Sequence, residues 1–110
     1  MQNITQAFKK VKEDERYVVE DNTDLKTLVV SKTSLNPLQK TTGHSHKGQE
    51  EVYMFINGNG WLESENETIG VKEGDVIIIE DGDFHRVHNT SDCFQLDFIC
   101  IFPGERYEHK

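Results

Sequence analysis

The sequence is poor in cysteine and proline, and its apolar runs are short. It has two cysteines in 110 residues, Cys93 and Cys100, which lie seven positions apart and form no CxxC pair. This spacing argues against a disulfide framework or a cysteine metal site, so we expect two buried thiols. Apolar runs such as Val76–Ile79 are far shorter than the roughly 20 residues that a membrane-spanning helix needs. The N-terminus has no apolar segment followed by small residues, so we predict no secretory signal and a cytoplasmic location.

Positive charge is also scarce. The chain has 12 lysine and arginine residues against 20 aspartate and glutamate residues, a net charge of −8. Nucleic acids and anionic membranes attract dense basic patches, which displace counterions from their surfaces. The basic cluster Phe-Lys-Lys-Val-Lys at 8–12 is followed at once by Glu-Asp-Glu at 13–15, which is typical of a solvated helix face. We therefore expect neither a nucleic acid nor a membrane as a partner.

The apolar residues change their period after Arg16. Before it, Asn3 is placed to cap a short helix, because apolar residues follow at 4, 8 and 11. After it, β-branched and aromatic residues alternate with polar ones in about eight short segments, separated by turn sequences such as NGNG and KEGD. This pattern indicates an all-β sandwich or small barrel. With two prolines and no linker, we predict one domain over 1–110: an N-terminal helix or arm at about 3–15, a barrel at about 16–104, and a charged tail at 105–110.

Three histidines and one glutamate form the candidate site. His44 and His46 are two positions apart, so on one strand both side chains point to the same face. Glu51 shares a face of the following predicted strand with Tyr53, and His85 begins a later one. We expect these side chains to converge inside the barrel. Imidazole and carboxylate suit a divalent transition metal such as Fe, Mn, Ni, Co or Zn.

The spacing of these residues resembles the first motif of the cupin superfamily. That motif has a glycine, five residues, His-x-His, three or four residues, a glutamate, six residues and a glycine. Here His44 and His46 are followed by four residues, Glu51, six residues and Gly58. The opening glycine of the motif falls at Leu38, which is a departure at a turn position.

The second cupin motif follows after fifteen residues. It has a glycine, five residues, Pro-x-Gly, two residues, a histidine, three residues and an asparagine. The stretch GDVIIIEDGDFHRVHN supplies Gly74, Gly82, His85 and Asn89 at these spacings, with Glu80 in place of the proline. The resemblance covers residues 38–89 directly.

This resemblance implies the cupin fold, a jelly-roll barrel also called a double-stranded β-helix. It implies that His44, His46, Glu51 and His85 hold one divalent metal. Glu50 fits a looser form of the motif, but only Glu51 satisfies the six-residue spacing to Gly58. Small cupins pair through sheet edges, and the chain has more apolar strand surface than one barrel interior covers, so we expect a homodimer.

Local likeness within the superfamily favours cupin-type sugar-phosphate isomerases. The stretches KTTGHSH at 40–46 and HRVHNTSD at 85–92 resemble theirs. In such an enzyme the metal would bind the carbonyl and adjacent hydroxyl of a sugar, with Glu51 or Tyr53 moving the proton. The residues that we expect to contact the substrate are Lys40, Thr41, Thr42 and Phe55. Two alternatives use the same ligand set: a non-haem metal dioxygenase or lyase, and a binding module without catalysis.

Overall fold

A computed structural model describes residues 1–45 and 47–104 of the chain. Within these residues it has nine β-strands: β1 Lys9–Glu13, β2 Tyr17–Asn22, β3 Leu28–Leu35, β4 Glu51–Asn57, β5 Asn59–Ser64, β6 Thr68–Lys72, β7 Val76–Ile79, β8 His85–His88 and β9 Leu96–Pro103. None of the described segments is a helix long and apolar enough to cross a membrane.

The strands form two antiparallel sheets. One has six strands in the order β1-β2-β3-β9-β4-β7, and the other has three in the order β6-β5-β8. In the larger sheet β1, β2 and β3 follow one another, whereas β9 lies between β3 and β4 and β7 pairs with β4. The predicted all-β jelly-roll fold is therefore confirmed.

The predicted N-terminal helix is wrong. Lys9–Glu13 forms β1, an edge strand that pairs with β2. Asn3 accepts hydrogen bonds from the backbone and hydroxyl of Thr5, at 3.0 and 2.5 Å, so it closes a turn and caps no helix. The helical spacing of apolar residues does not determine the structure here, because pairing with β2 satisfies the backbone hydrogen bonds of this segment. Val11, one of those apolar residues, is 58% exposed.

The core lies between the two sheets, and strands such as β3 and β9 bury alternate side chains in it. In β3 and β9 every second residue is buried, the pattern that a half-buried strand requires. Cys100 belongs to this core, whereas Cys93 is exposed, so the expectation of two buried thiols holds for Cys100 alone. The buried apolar residues are Tyr17, Val29, Leu35, Tyr53, Phe55, Leu62, Val71, Ile79, Val87, Leu96, Phe98, Cys100 and Phe102.

The outer side of the larger sheet also carries apolar side chains, which we call the outer apolar face. Cross-strand pairing aligns them in two rows over β3, β9, β4 and β7. The rows are Val30, Ile101, Val52, Ile78 and then Lys32, Ile99, Met54, Val76. Val76 and Ile78 on the edge strand are 61% and 70% exposed. This face is apolar over an area that strand alternation alone would leave polar.

Two turn positions adopt the left-handed backbone region. Gly58, between β4 and β5, has φ of 88°, and a Cβ there would lie 2.5 Å from the carbonyl oxygen of Gln95. Only glycine fits such a place. Leu38 has φ of 62° at the position where the cupin motif has glycine, so the departure noted above is a strained turn residue.

Candidate metal centre

His44 and His85 are brought together by backbone pairing. Each donates its backbone N–H to the other's carbonyl, at 3.2 and 3.0 Å, so the two residues lie directly opposite each other. Opposite residues in an antiparallel pair project to the same side of the sheet. Their rings accordingly meet edge to face, with centroids 4.4 Å apart.

Glu51, the first residue of β4, completes this group from the other sheet. Its side chain is 4% exposed, and its Oε1 lies 3.7 Å from Nε2 of His85. Potential ligand atoms of His44, Glu51 and His85 all lie within 4.8 Å of one another. Ligand atoms on opposite sides of one metal ion are about 4 Å apart, so this group has nearly the size of one coordination sphere.

Hydrogen bonds fix which ring nitrogen each histidine offers. Nδ1 of His85 lies 3.0 Å from the carbonyl oxygen of Asp83, and Nδ1 of His44 lies 3.3 Å from that of Thr42. A carbonyl oxygen only accepts, so each Nδ1 carries a proton, and in the neutral ring each Nε2 keeps its lone pair. Nε2 of His85 is buried and has no hydrogen-bond partner among the described residues. A buried acceptor without a partner is costly, and a metal ion at this point would satisfy it.

The structure separates the two adjacent glutamates. Glu51 is 5% exposed and has a carboxylate oxygen within 4.8 Å of a ring nitrogen of His44 and of His85, whereas Glu50 faces solvent. His46, the remaining expected ligand, lies outside the described residues.

A pocket of about 240 Å³ opens beside this group. Tyr53 lies on its wall, with its ring centroid 5.6 Å from that of His85, and Thr41 and Thr42 also line it. The described lining residues are Lys12, Tyr17, Val19, Ser31, Thr33, Thr41, Thr42, His44, Glu51, Tyr53, Phe98, Cys100 and Phe102. The pocket lining therefore combines hydroxyl groups with apolar side chains, and pairing of β3 with β9 places Ser31 beside Cys100 and Thr33 beside Phe98.

Two of the expected substrate contacts lie elsewhere in the described structure. Phe55 is 1% exposed and packs behind the pocket wall, with its ring centroid 5.4 Å from that of Phe98. Lys40 lies opposite His88, while His44 lies opposite His85, so four residues on one side match three on the other. The extra residue turns Lys40 toward the outer side with His88, although sequence parity places it with His44.

Charged residues at the mouth of the pocket escaped the sequence analysis. Arg16 donates a hydrogen bond of 2.6 Å to the hydroxyl of Thr42, and its guanidinium also bonds Asp14. These side-chain hydrogen bonds from Arg16 hold the pKa of the Asp14 carboxyl below its ordinary value, so Asp14 stays ionised and neutralises Arg16. Lys12, in the basic cluster interpreted above as a solvated face, lines the same mouth.

Comparison with known proteins agrees with this geometry. The family model of the cupin domain matches residues 32–102. The chain belongs to the cupin family. The match runs from β3 through β9 and includes every described residue of the metal group, whereas β1 and β2 precede it.

Two curated relatives and one solved structure are similar to this cupin. An uncharacterised protein of Methanocaldococcus jannaschii is 32% identical over 71 residues, which are 64% of this chain and 55% of the relative. An oxalate-binding protein of Thermotoga maritima is 26% identical over 76 residues, 69% of this chain and 62% of the relative. This chain thus spans less than two thirds of the length of either. The crystal structure of a predicted oxalate decarboxylase of Thermotoga maritima has a TM-score of 0.70 at 22% identity, covering 87% of this chain and 90% of that one, which shows a shared fold.

Proposed function

We propose that this cupin binds one divalent transition metal through His44, His46, Glu51 and His85, and that it binds a small ligand there through oxygen atoms. The observation that carries the proposal is the buried Nε2 of His85, which faces His44 and Glu51 with its lone pair exposed to that point. Two neutral imidazoles and a carboxylate are the donor set that Fe, Mn, Ni, Co and Zn accept. His46 joins the set through its spacing in the cupin motif.

The pocket limits the ligand to a small molecule. Its volume of about 240 Å³ lies below the roughly 300–1,000 Å³ of pockets that hold drug-sized ligands. Hydroxyl groups of Ser31, Thr33 and Thr41 can donate to ligand oxygens, while Phe98 and Phe102 add apolar surface to the same lining. A ligand with several oxygen atoms on a short carbon chain suits this lining.

For the reaction we propose proton transfer next to a carbonyl, as in a sugar isomerase or epimerase. A divalent metal supplies Lewis-acid chemistry, which polarises a bound carbonyl and acidifies the neighbouring C–H. The phenol of Tyr53 lies on the pocket wall beside His85 and is placed to exchange a proton with the ligand. Glu51 acts first as a metal ligand and second as a base.

A second candidate is a lyase or binding protein for a small dicarboxylate. The name of the Thermotoga maritima relative, an oxalate-binding protein, and that of the structural neighbour, a predicted oxalate decarboxylase, support it. Such a ligand also offers two adjacent oxygens and fits the same pocket. The metal group is common to both candidates, so the reaction must be decided by assay.

The deciding experiment follows proton exchange under nitrogen. Manganese-loaded protein is incubated in D₂O with glyceraldehyde or dihydroxyacetone, and deuterium at carbon is measured by NMR. We expect metal-dependent exchange that Tyr53→Phe abolishes and Tyr17→Phe, on the same pocket, retains. Carbon dioxide released from oxalate without such exchange would favour the lyase, and turnover that requires oxygen would favour a dioxygenase. Oxalate binding without any turnover would favour a binding protein.

We also propose that this cupin forms a homodimer through the outer apolar face. Its two rows cross four strands, or about 14 Å at normal strand spacing, and hold seven apolar side chains with Lys32 alone as a charge. Only an equally apolar surface can cover this face without burying an unpaired charge. A second copy of the chain, related by a two-fold axis, presents such a surface. Stable interfaces bury about 800 Å² per partner, so this face would be the centre of a larger contact.

A further inference from the structure

A bulge in the N-terminal strand turns one lysine toward the pocket. Lys10 lies opposite Glu20, but Lys12 lies opposite Val19, so β1 has one extra residue, Val11, between them. Opposite residues share a side of the sheet, and Val19 lines the pocket. In a regular ladder Val11 would lie opposite Val19, and Lys12 would point away. The extra residue therefore brings an ammonium group to the pocket where regular pairing would bring an apolar side chain.

The charge of Lys12 is available to a ligand. Its Nζ lies 5.4 Å from the ring centroid of Tyr17, and no carboxylate in the described part of the chain is within 4.0 Å of it. The neighbouring Arg16, 4.6 Å from the same ring centroid, is by contrast paired with Asp14 at 2.9 Å. Among the described lining residues, Lys12 is the one lysine or arginine.

The negative charge of the protein as a whole gives the position of Lys12 its significance. With a net charge of −8, the protein repels anions in general, so a lysine at the pocket mouth with no carboxylate of the described residues at ion-pair distance changes the local preference most. Lys12 also precedes residues 32–102, so it lies outside the segment that matches the cupin domain.

We propose that Lys12 is a specificity residue that selects ligands carrying a second, anionic oxygen group, a carboxylate or a phosphate. This inference rests on the proposed function: one end of the ligand lies at His44, Glu51 and His85, and the anionic group at the other end meets Lys12. A charge-assisted hydrogen bond from an ammonium group to such an oxygen is about twice as strong as a neutral one. Hydroxyls of Thr42 and Ser31 lie on the same pocket and add donors.

Pairs of ligands that differ only in the second anionic group test the proposal. Malate and lactate share a hydroxy-acid end, but only malate has a further carboxylate; 3-phosphoglycerate and glycerate differ in the same way by a phosphate. Calorimetric titration of the manganese-loaded protein gives each dissociation constant. We expect the charged member of at least one pair to bind about tenfold or more tightly, the order of one hydrogen bond to a charged group. Preference for malate or for 3-phosphoglycerate would identify the group as carboxylate or phosphate.

Three variants separate Lys12 from its surroundings. Lys12→Met should remove the preference. The double substitution Val11→Lys with Lys12→Val should remove it too, although composition and net charge are unchanged, because the ammonium then occupies the extra position. Lys10→Met should keep the preference, since Lys10 lies on the same strand but pairs with Glu13.

Metal content of the same samples distinguishes the two levels of failure. If the wild-type protein binds no manganese, the proposed function fails, and this inference with it. If manganese is bound but the ligand ratios are the same in wild type and Lys12→Met, the role of Lys12 is wrong and the metal site stands. Equal binding of both members of each pair by the wild type would overturn the inference in the same way.

Discussion

His85 and Glu51 come from different sheets, on β8 and β4, yet Nε2 of one lies 3.7 Å from Oε1 of the other inside the protein. Both side chains are nearly inaccessible, at 3% and 4% exposure. Burying a carboxylate costs several kcal/mol unless charge or hydrogen bonds compensate for it. Nδ1 of His85 donates its proton to the backbone carbonyl oxygen of Asp83. While the ring is neutral, Nε2 therefore has no proton to donate to Glu51. A metal ion between them would bind both the lone pair of Nε2 and the carboxylate of Glu51.

Metal affinity should therefore depend on Glu51 and not on its neighbour. We expect Glu51→Gln and His85→Ala to weaken manganese or zinc binding by at least about 100-fold, since loss of a ligand exceeds the 10–100-fold effect of outer-shell partners. Glu50→Gln is the matched control and should bind as the wild type does, because Glu50 faces solvent. Competition titration with a chromogenic chelator measures both. Weakening by Glu50→Gln with normal binding by Glu51→Gln would reverse the assignment.

Gly43 should be needed to place His44. A Cβ at Gly43 would collide with the ring of Phe84 and lie 3.0 Å from Nε of Arg86. Overpacking of this kind costs about 1–3 kcal/mol, so we expect Gly43→Ala to lower the free energy of unfolding by that amount and to weaken metal binding. Adding Phe84→Ala should restore part of the metal affinity. Gly70→Ala is the control, because a Cβ there meets its nearest neighbour, Trp61, at 4.0 Å. Equal effects at both glycines, measured by urea unfolding, would contradict this explanation.

Leu38 should be a position where glycine stabilises the protein. Its φ of 62° costs a non-glycine residue about 1–2 kcal/mol, which the larger entropy of glycine in the unfolded chain partly offsets. The side chain is 67% exposed, so its removal loses little packing. We expect Leu38→Gly to raise the free energy of unfolding by about 0.5–1 kcal/mol, whereas Leu38→Ala, which keeps the strain, should change it little. Destabilisation by Leu38→Gly would show that the exposed leucine makes a contact of its own.

The homodimer should depend on the edge of the outer apolar face. Ile78 is 70% exposed, so Ile78→Lys costs the monomer little but buries a charge within the interface. We expect sedimentation velocity to show a dimer for the wild type and a monomer for Ile78→Lys. Leu25→Lys, at a 52% exposed apolar residue outside the face, should remain a dimer. A monomeric wild type at micromolar concentration would refute the interface.

The sequence predicts which side chains of β4 and β8 point into the protein, because side chains alternate between the two faces of a strand. Glu51, Tyr53 and Phe55 alternate with exposed or half-buried neighbours on β4, as their spacing indicates. His85 and Val87 do the same on β8. Long-range pairing only adds partners to such a strand; it does not change which side chains face inward.

The remaining features depend on pairing that a single sequence does not encode. The bulge at Val11 turns Lys12 toward the pocket, although the sequence placed it on a solvated helix face, and the extra residue between Lys40 and His44 turns Lys40, an expected substrate contact, outward. Phe55 shares the face of Tyr53 but lies deeper, where Phe98 covers it. The N-terminal helix was mispredicted for the same reason, since only the edge of β2 makes a strand at 9–13 favourable.

Anomalous diffraction from crystals grown with manganese would locate the metal itself. We expect one strong anomalous peak about 2.0–2.4 Å from Nε2 of His44, Nε2 of His85 and a carboxylate oxygen of Glu51, with His46 as a further ligand. A peak bound by other residues, or electron density for water alone between His44, Glu51 and His85 in crystals of manganese-saturated protein, would contradict it.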